Sequence, residues 1–140
     1  DLRNNASAVN RGMEYQLSWR PARGTIISWN QYFARPQASP AVIAQTIARR
    51  STGLLVSHAW PRGWTTGLGY TSMSSLRWLG EPTQVGAQRF ASLRVARSLR
   101  VNGSHVHVAV RWFQPLGQSD EFRELQRERR KLWLAVSLEY

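Results

Sequence analysis

The ten residues Lys131–Tyr140, KLWLAVSLEY, decide how this chain is read. Leu132, Leu134, Val136, Leu138 and Tyr140 alternate strictly with Trp133, Ala135, Ser137 and Glu139. Side chains of a strand point alternately to its two faces, so the spacing predicts a strand with one wholly apolar face. The sequence then stops on an aromatic of that same face, with no polar residues after it.

Working back from this stretch, the same period recurs at even spacing. In His105–Trp112, Val106, Val108, Val110 and Trp112 oppose His105, His107, Ala109 and Arg111. In Phe90–Val101, Leu93, Val95, Leu99 and Val101 oppose Ser92, Arg94, Ala96 and Ser98. Trp64–Met73 puts Trp64, Leu68 and Tyr70 on one face, and Ser51–Trp60 precedes it. Thr25–Ala34 alternates less cleanly. Gly12–Pro21 sets Met13, Tyr15, Leu17 and Trp19 against Glu14, Gln16, Ser18 and Arg20. The expectation is an all-β chain, an antiparallel meander of about seven strands.

The connections take turns in length. Three are tight: Pro21-Ala22-Arg23-Gly24, Pro61-Arg62-Gly63 and Asn102-Gly103-Ser104. All carry glycine and two open with proline, as short hairpin turns require. Three are long: about 35–50, 74–89 and 114–130. Short turns at one rim and long loops at the other are the expected organisation of an outer-membrane β-barrel. Asp120–Arg130, DEFRELQRERR, is rich in charge and helix formers, and is read as a charged loop with a turn of helix.

Composition narrows the classes. The chain has 140 residues, the size of one ordinary domain, and a formal net charge of +11. Lys131 is the only lysine, so arginine carries almost all the positive charge, and nucleic acid has to be weighed as a partner. There is no cysteine, hence no disulfide framework and no thiolate metal site. No apolar run approaches the roughly 18 residues of a membrane-spanning helix. The chain opens on Asp1 rather than methionine and is read as a piece of something longer.

Charge placement separates two readings. The faces of Met13–Trp19, Val106–Trp112 and Leu132–Tyr140 carry no charge, as a lipid-facing wall requires, because an arginine at the bilayer midplane costs about 2–4 kcal/mol. Arg97 breaks the phase, close enough to the Asn102 turn for its side chain to snorkel to the interface. Trp19, Trp60 and Trp64 stand beside tight turns, where an interfacial girdle belongs, and Tyr140 falls on the same rim. The alternative for these rings is the core of a soluble protein. The rival function is a basic aromatic sheet that binds single-stranded nucleic acid. That rival needs arginines beside the stacking rings, whereas Arg20, Arg94 and Arg111 fall opposite them.

The order and spacing of these segments resemble the C-terminal part of the barrel of a TonB-dependent outer-membrane receptor. NNASAVNRGMEYQLSWRPARGT is similar to a recurring strand of that family, with Gly12 and Glu14 at the Gly-x-Glu positions and Trp19-Arg20-Pro21 closing onto a periplasmic turn. RFASLRVARSLRVNGSHVHVAVRWFQPLG resembles the penultimate hairpin, although Trp112-Phe113-Gln114-Pro115-Leu116 replaces the common Asn-Leu-Phe form. DEFRELQRERRKLWLAVSLEY resembles the last loop and the closing strand. The resemblance spans essentially residues 1–140, about the last third of a barrel of about 22 strands, with the plug and the N-terminal strands absent.

The resemblance implies a bacterial outer-membrane location, long loops outside the cell, and uptake of a scarce ligand such as a ferric siderophore. Energy would come from the TonB complex through the missing N-terminal part. Its partners would be outer-membrane lipid and lipopolysaccharide, the remaining barrel strands and plug, and the barrel-assembly machinery. The last of these would read Leu132, Leu134, Val136, Leu138 and Tyr140 as a barrel-closing signal. Ligand contacts are expected from the long loops, where Arg35, Arg49, Arg50, Trp78 and Arg123 suit an anionic ligand. A solvated or lipopolysaccharide-facing surface is the alternative for each. His105-x-His107 has a spacing open to metal but no third ligand nearby in sequence, and His58 reads as structural. No nucleophile triad or phosphate loop is visible, so no enzyme and no cofactor are expected.

Overall fold

The structure is a computed structural model and describes residues 7–39, 41–77, 84–101, 104–116 and 131–139. Strands β1 (Ser7–Trp19), β2 (Thr25–Ser39), β3 (Arg50–Ala59) and β4 (Trp64–Met73) follow one another in sequence. Short strands β5 (Leu76–Arg77) and β6 (Gln84–Val85) come next, then β7 (Gln88–Val101), β8 (Ser104–Pro115) and β9 (Lys131–Glu139). Seven of them form one antiparallel sheet in the order β1-β2-β3-β4-β7-β8-β9, while β5 and β6 pair as a separate ribbon. The sheet is open, with β1 and β9 at its edges. All seven expected strands are present, and the all-β antiparallel meander stands.

Two tight turns are fixed by backbone sterics. Gly24 has φ +83°, its carbonyl accepts from Ala59 N at 2.8 Å, and a Cβ there would meet the Ala59 oxygen at 2.9 Å. In the 3-10 turn Pro61–Gly63, Arg62 and Gly63 both have positive φ. A Cβ on Gly63 would lie 2.5 Å from the Ser98 carbonyl oxygen, so only glycine lets this turn approach β7. The third tight turn, Asn102-Gly103, lies outside the described residues.

The long connections differ from expectation. The first is shorter than 35–50, because β2 continues through Arg35 and Pro36 to Ser39, paired with β1 back to Ser7. Pro36 is tolerated there because β3 pairs with β2 only as far as Phe33, so no ladder donor is required on that side. A single helical turn, α1 (Ala41–Ala44), follows. Ser74 then ties the first two long connections together. Its Oγ accepts from Arg49 N at 3.0 Å and Arg50 N at 3.2 Å, and its own N–H donates to the Arg50 carbonyl at 2.9 Å. The expected helical turn within 120–130 lies outside the described residues.

The sheet has no conventional core. Among the described residues the buried apolar side chains are only Ala34, Val85, Ala96 and Ala109, none larger than valine. Met13, Leu17, Trp19, Leu68, Leu132, Leu134 and Val136 are instead exposed, with Leu134 at 70%. A large aliphatic side chain left in water forgoes about 1.5–3 kcal/mol of burial, and no other described part of the chain covers this face.

Candidate functional site

Directly opposed residues of an antiparallel pair share a face, so the register assigns every strand position. One row runs Trp19–Ile27–Val56–Leu68–Leu93–Trp112–Leu132 across all seven strands without a polar residue. The same face carries Met13 and Leu17 on β1, Trp29 and Phe33 on β2, Leu54 on β3, and Trp64 and Tyr70 on β4. It carries Val95 and Leu99 on β7, Val106, Val108 and Val110 on β8, and Leu134 and Val136 on β9.

The apolar zone does not run along the hydrogen-bond rows. Its limit toward the long connections is Met13 on β1, in the row of Phe33 and Arg50, but Leu132 on β9, in the row of Trp19. Met13 and Trp19 are six residues apart, and β1 and β9 are six strand steps apart. The zone therefore climbs about one residue per strand, roughly 3.3 Å of rise for each 4.8 Å of width, an inclination of about 35°. Strands of closed barrels tilt by 35–45° to the axis, so a level belt around a barrel is inclined by such an angle to the hydrogen-bond rows.

Polar groups within the zone are tied down. Gln31, only 5% exposed, lies 2.6 Å from the Tyr15 hydroxyl, and the surrounding donors assign its amide nitrogen to that side, so that Oε1 accepts from Arg50 Nη2 at 3.0 Å and Nε at 3.1 Å. Trp29 and Phe33 flank Tyr15, with ring centroids at 5.4 and 6.5 Å, and Arg50 lies over the Phe33 ring at 5.5 Å. Toward the tight turns, Thr25 Oγ1 and His58 Nδ1 are 2.7 Å apart. His58 packs edge-on against Trp60 at 4.3 Å, and Trp60 Nε1 donates to Thr66 Oγ1 at 2.8 Å. Arg97 lies over Trp64 at 5.0 Å, which holds its charge on a ring at this margin, and its buried Nε has no partner.

The opposite face is small and polar. Gly53, Gly67, Gly69, Ser28, Ser57, Ser92, Ala96 and Ala109 occupy its middle. Arg94 and Arg111 are directly opposed there. Arg94 Nη2 donates to His107 Nε2 at 3.0 Å, which leaves the hydrogen of a neutral ring on Nδ1, 3.0 Å from Ser98 Oγ. Phe90, Phe113 and Trp133 make a short aromatic step on this face, with centroids 5.1 and 6.2 Å apart. Among the described residues no group of three potential metal ligands forms around His105 and His107.

At the long-connection rim, Gln45, Ile47, Arg49, Ser74, Leu76 and Arg77 help line a cleft of about 390 Å³. Arg77 N donates to the Gln45 carbonyl at 2.8 Å and holds the two connections together. Of the expected ligand residues that the structure describes, only Arg49 lines this cleft. Arg35 stands inside β2 opposite Arg11, and Arg50 begins β3 opposite Phe33, so both are strand residues on the apolar face and not loop residues. Trp78 and Arg123 lie outside the described residues. Sequence reading passed over Arg77, because only the folded rim brings it beside Arg49.

Trp19, Trp60 and Trp64 do share the tight-turn rim, at the end of β1, after β3 and at the start of β4. Leu132, Leu134 and Val136 share the apolar face and Leu138 pairs with Val106, while Tyr140 lies outside the described residues. The separation of arginine from aromatic rings is less complete than the sequence suggested, since Arg11, Arg35, Arg50, Arg89 and Arg97 stand on the apolar face. None of them stands in the row from Trp19 to Leu132. No helix among the described residues is long and apolar enough to cross a membrane, which bears on helices alone. No protein-family model, curated protein or solved structure matches this chain.

Proposed function

We propose that this chain is a wall segment of a transmembrane β-barrel, the C-terminal part of an outer-membrane receptor that takes up a scarce ligand by TonB-dependent transport. One observation supports the membrane reading: the apolar zone is inclined by about 35° to the hydrogen-bond rows of the seven strands, as a level lipid belt is on tilted strands. The strands are 9 to 15 residues long, and a tilted transmembrane strand needs about 9–11. Short turns at one rim and long connections at the other agree with the same orientation.

The finer statement, a TonB-dependent receptor for a ligand such as a ferric siderophore, rests on the sequence resemblance. The rim cleft with Arg49 and Arg77 and the aromatic step of the polar face offer charge and ring surface to an anionic, aromatic ligand. The nucleic-acid alternative would use arginine and rings together. In this sheet the two meet at the margins of the apolar face and where Arg111 stands opposite Trp133 on the polar face, and not across the middle of the apolar face.

Two measurements test the proposal in the full-length protein. Outer-membrane fractions should hold it as a heat-modifiable band, folded until boiled. Cells lacking TonB should lose accumulation of labelled ferric siderophore that depends on the protein. A soluble, monomeric full-length protein would sink the membrane reading, and unchanged accumulation without TonB would sink the transport reading alone.

A further inference from the structure

The apolar zone has two unlike margins. Toward the tight turns it ends on Trp19, Trp60 and Trp64, with Arg97 laid over a ring. Toward the long connections it ends on arginines. Arg11 and Arg35 follow Met13 and Phe33 outward, Arg50 lies one row nearer the turns on β3, and Arg89 one row nearer again on β7. The line of arginines therefore climbs with the zone, about one residue per strand, and stays parallel to it.

These charges are not balanced within the described residues. Arg11 and Arg35 are directly opposed on one face, where like charges repel, and no ion pair to a carboxylate joins either of them among the described residues. Glu14, in the same strand as Arg11, points to the other face. Arg50 is held by Gln31 through Nη2 and Nε, which leaves three of its five N–H donors directed elsewhere. A row of guanidinium groups at the edge of an apolar belt matches phosphates at the edge of a hydrocarbon layer, in charge and in bidentate geometry.

We propose that Arg11, Arg35, Arg50 and Arg89 form a binding line for the phosphate groups of anionic membrane lipid, in the leaflet nearer the long connections. This rests on the barrel reading above. The Trp-bounded margin then faces the other leaflet, and the asymmetry of the two margins orients the wall in the bilayer.

The test uses the full-length protein folded into phosphatidylcholine vesicles with a trace of spin-labelled phosphatidic acid or spin-labelled phosphatidylcholine. Electron paramagnetic resonance separates lipid held at the protein wall from bulk lipid. Wild type should select phosphatidic acid, and each arginine removed should lower that selection by up to about fivefold, less as salt is added. Arg11→Gln with Arg35→Gln should lower it most, Arg11→Lys with Arg35→Lys should largely keep it, and Arg97→Gln should leave it unchanged. Wall-held lipid without selection, or equal selection in wild type and the double glutamine variant, overturns the inference alone. Absence of wall-held lipid with either label overturns the barrel reading and the inference with it.

Discussion

The two faces of this sheet invert the usual relation between size, polarity and exposure. On one face Leu134 is 70% exposed, whereas on the other Ala96 is 1% exposed. In a water-soluble sheet the large apolar side chains pack inward and the small polar ones meet solvent. Here the middle of the polar face is mostly glycine, serine and alanine around Leu55, with Arg94, Arg111 and His107 joined by hydrogen bonds or register and an aromatic step of Phe90, Phe113 and Trp133 to one side. The contrast teaches that the larger side chains lie on the face this sheet leaves uncovered, while the small ones are closed in. It also explains why so few residues are buried in a sheet of seven strands.

The sharpest way to break the contrast is to place one charge on each face of the last strand. On the proposed barrel reading, Val136→Arg in the full-length protein should destabilise the fold by about 2–4 kcal/mol, while Ser137→Arg should cost much less. Urea titration in vesicles, read by heat-modifiable gel mobility, measures both. Equal effects at the two positions would mean that the faces are wrongly assigned.

Volume gives the second comparison. Ala96→Leu adds bulk where the polar face is closed, and should cost about 1–3 kcal/mol by overpacking. Leu68→Met, on the open apolar face, should be nearly neutral in the same titration. A neutral Ala96→Leu would show that the small-residue face has room to spare.

The third case is the exception on the apolar face. Gln31→Leu removes the partner of both Tyr15 and Arg50, and should cost about 1–3 kcal/mol although it makes the face more apolar. Adding Arg50→Leu should recover part of that loss, because the stranded charge is gone. A double-mutant cycle with no coupling would remove this network from the account.

The smallest effect belongs to the tight-turn margin. Trp60→Phe keeps the ring against His58 but loses the donor to Thr66, and should cost about 0.5–1.5 kcal/mol. Thermal unfolding of the folded barrel in vesicles, monitored by circular dichroism, would resolve it. Trp60→Ala should cost more, since the ring goes as well.

The strands and their faces were legible in the sequence because alternation is a local property with a period of two residues. Met13 to Trp19, Val106 to Trp112 and Leu132 to Val136 announce their phase without reference to any neighbour. The extent of β2 was not legible, because Arg35 to Ser39 has no clean alternation and is held in the strand by pairing with β1. Arg35 and Arg50 looked like loop residues for the same reason.

What the sequence determined by itself was the seven strands of the main sheet, their polarity pattern and the alternation of short and long connections, but not the β5–β6 ribbon. The tertiary structure alone decided the register. Only pairing across the strands shows that Met13 and Leu132 stand at one margin although their hydrogen-bond rows differ, and that Arg11, Arg35, Arg50 and Arg89 follow one inclined line. The physical reason is that a side chain's face is set by its own backbone, whereas its height on the wall is set by turn geometry and by the hydrogen bonds of every strand between.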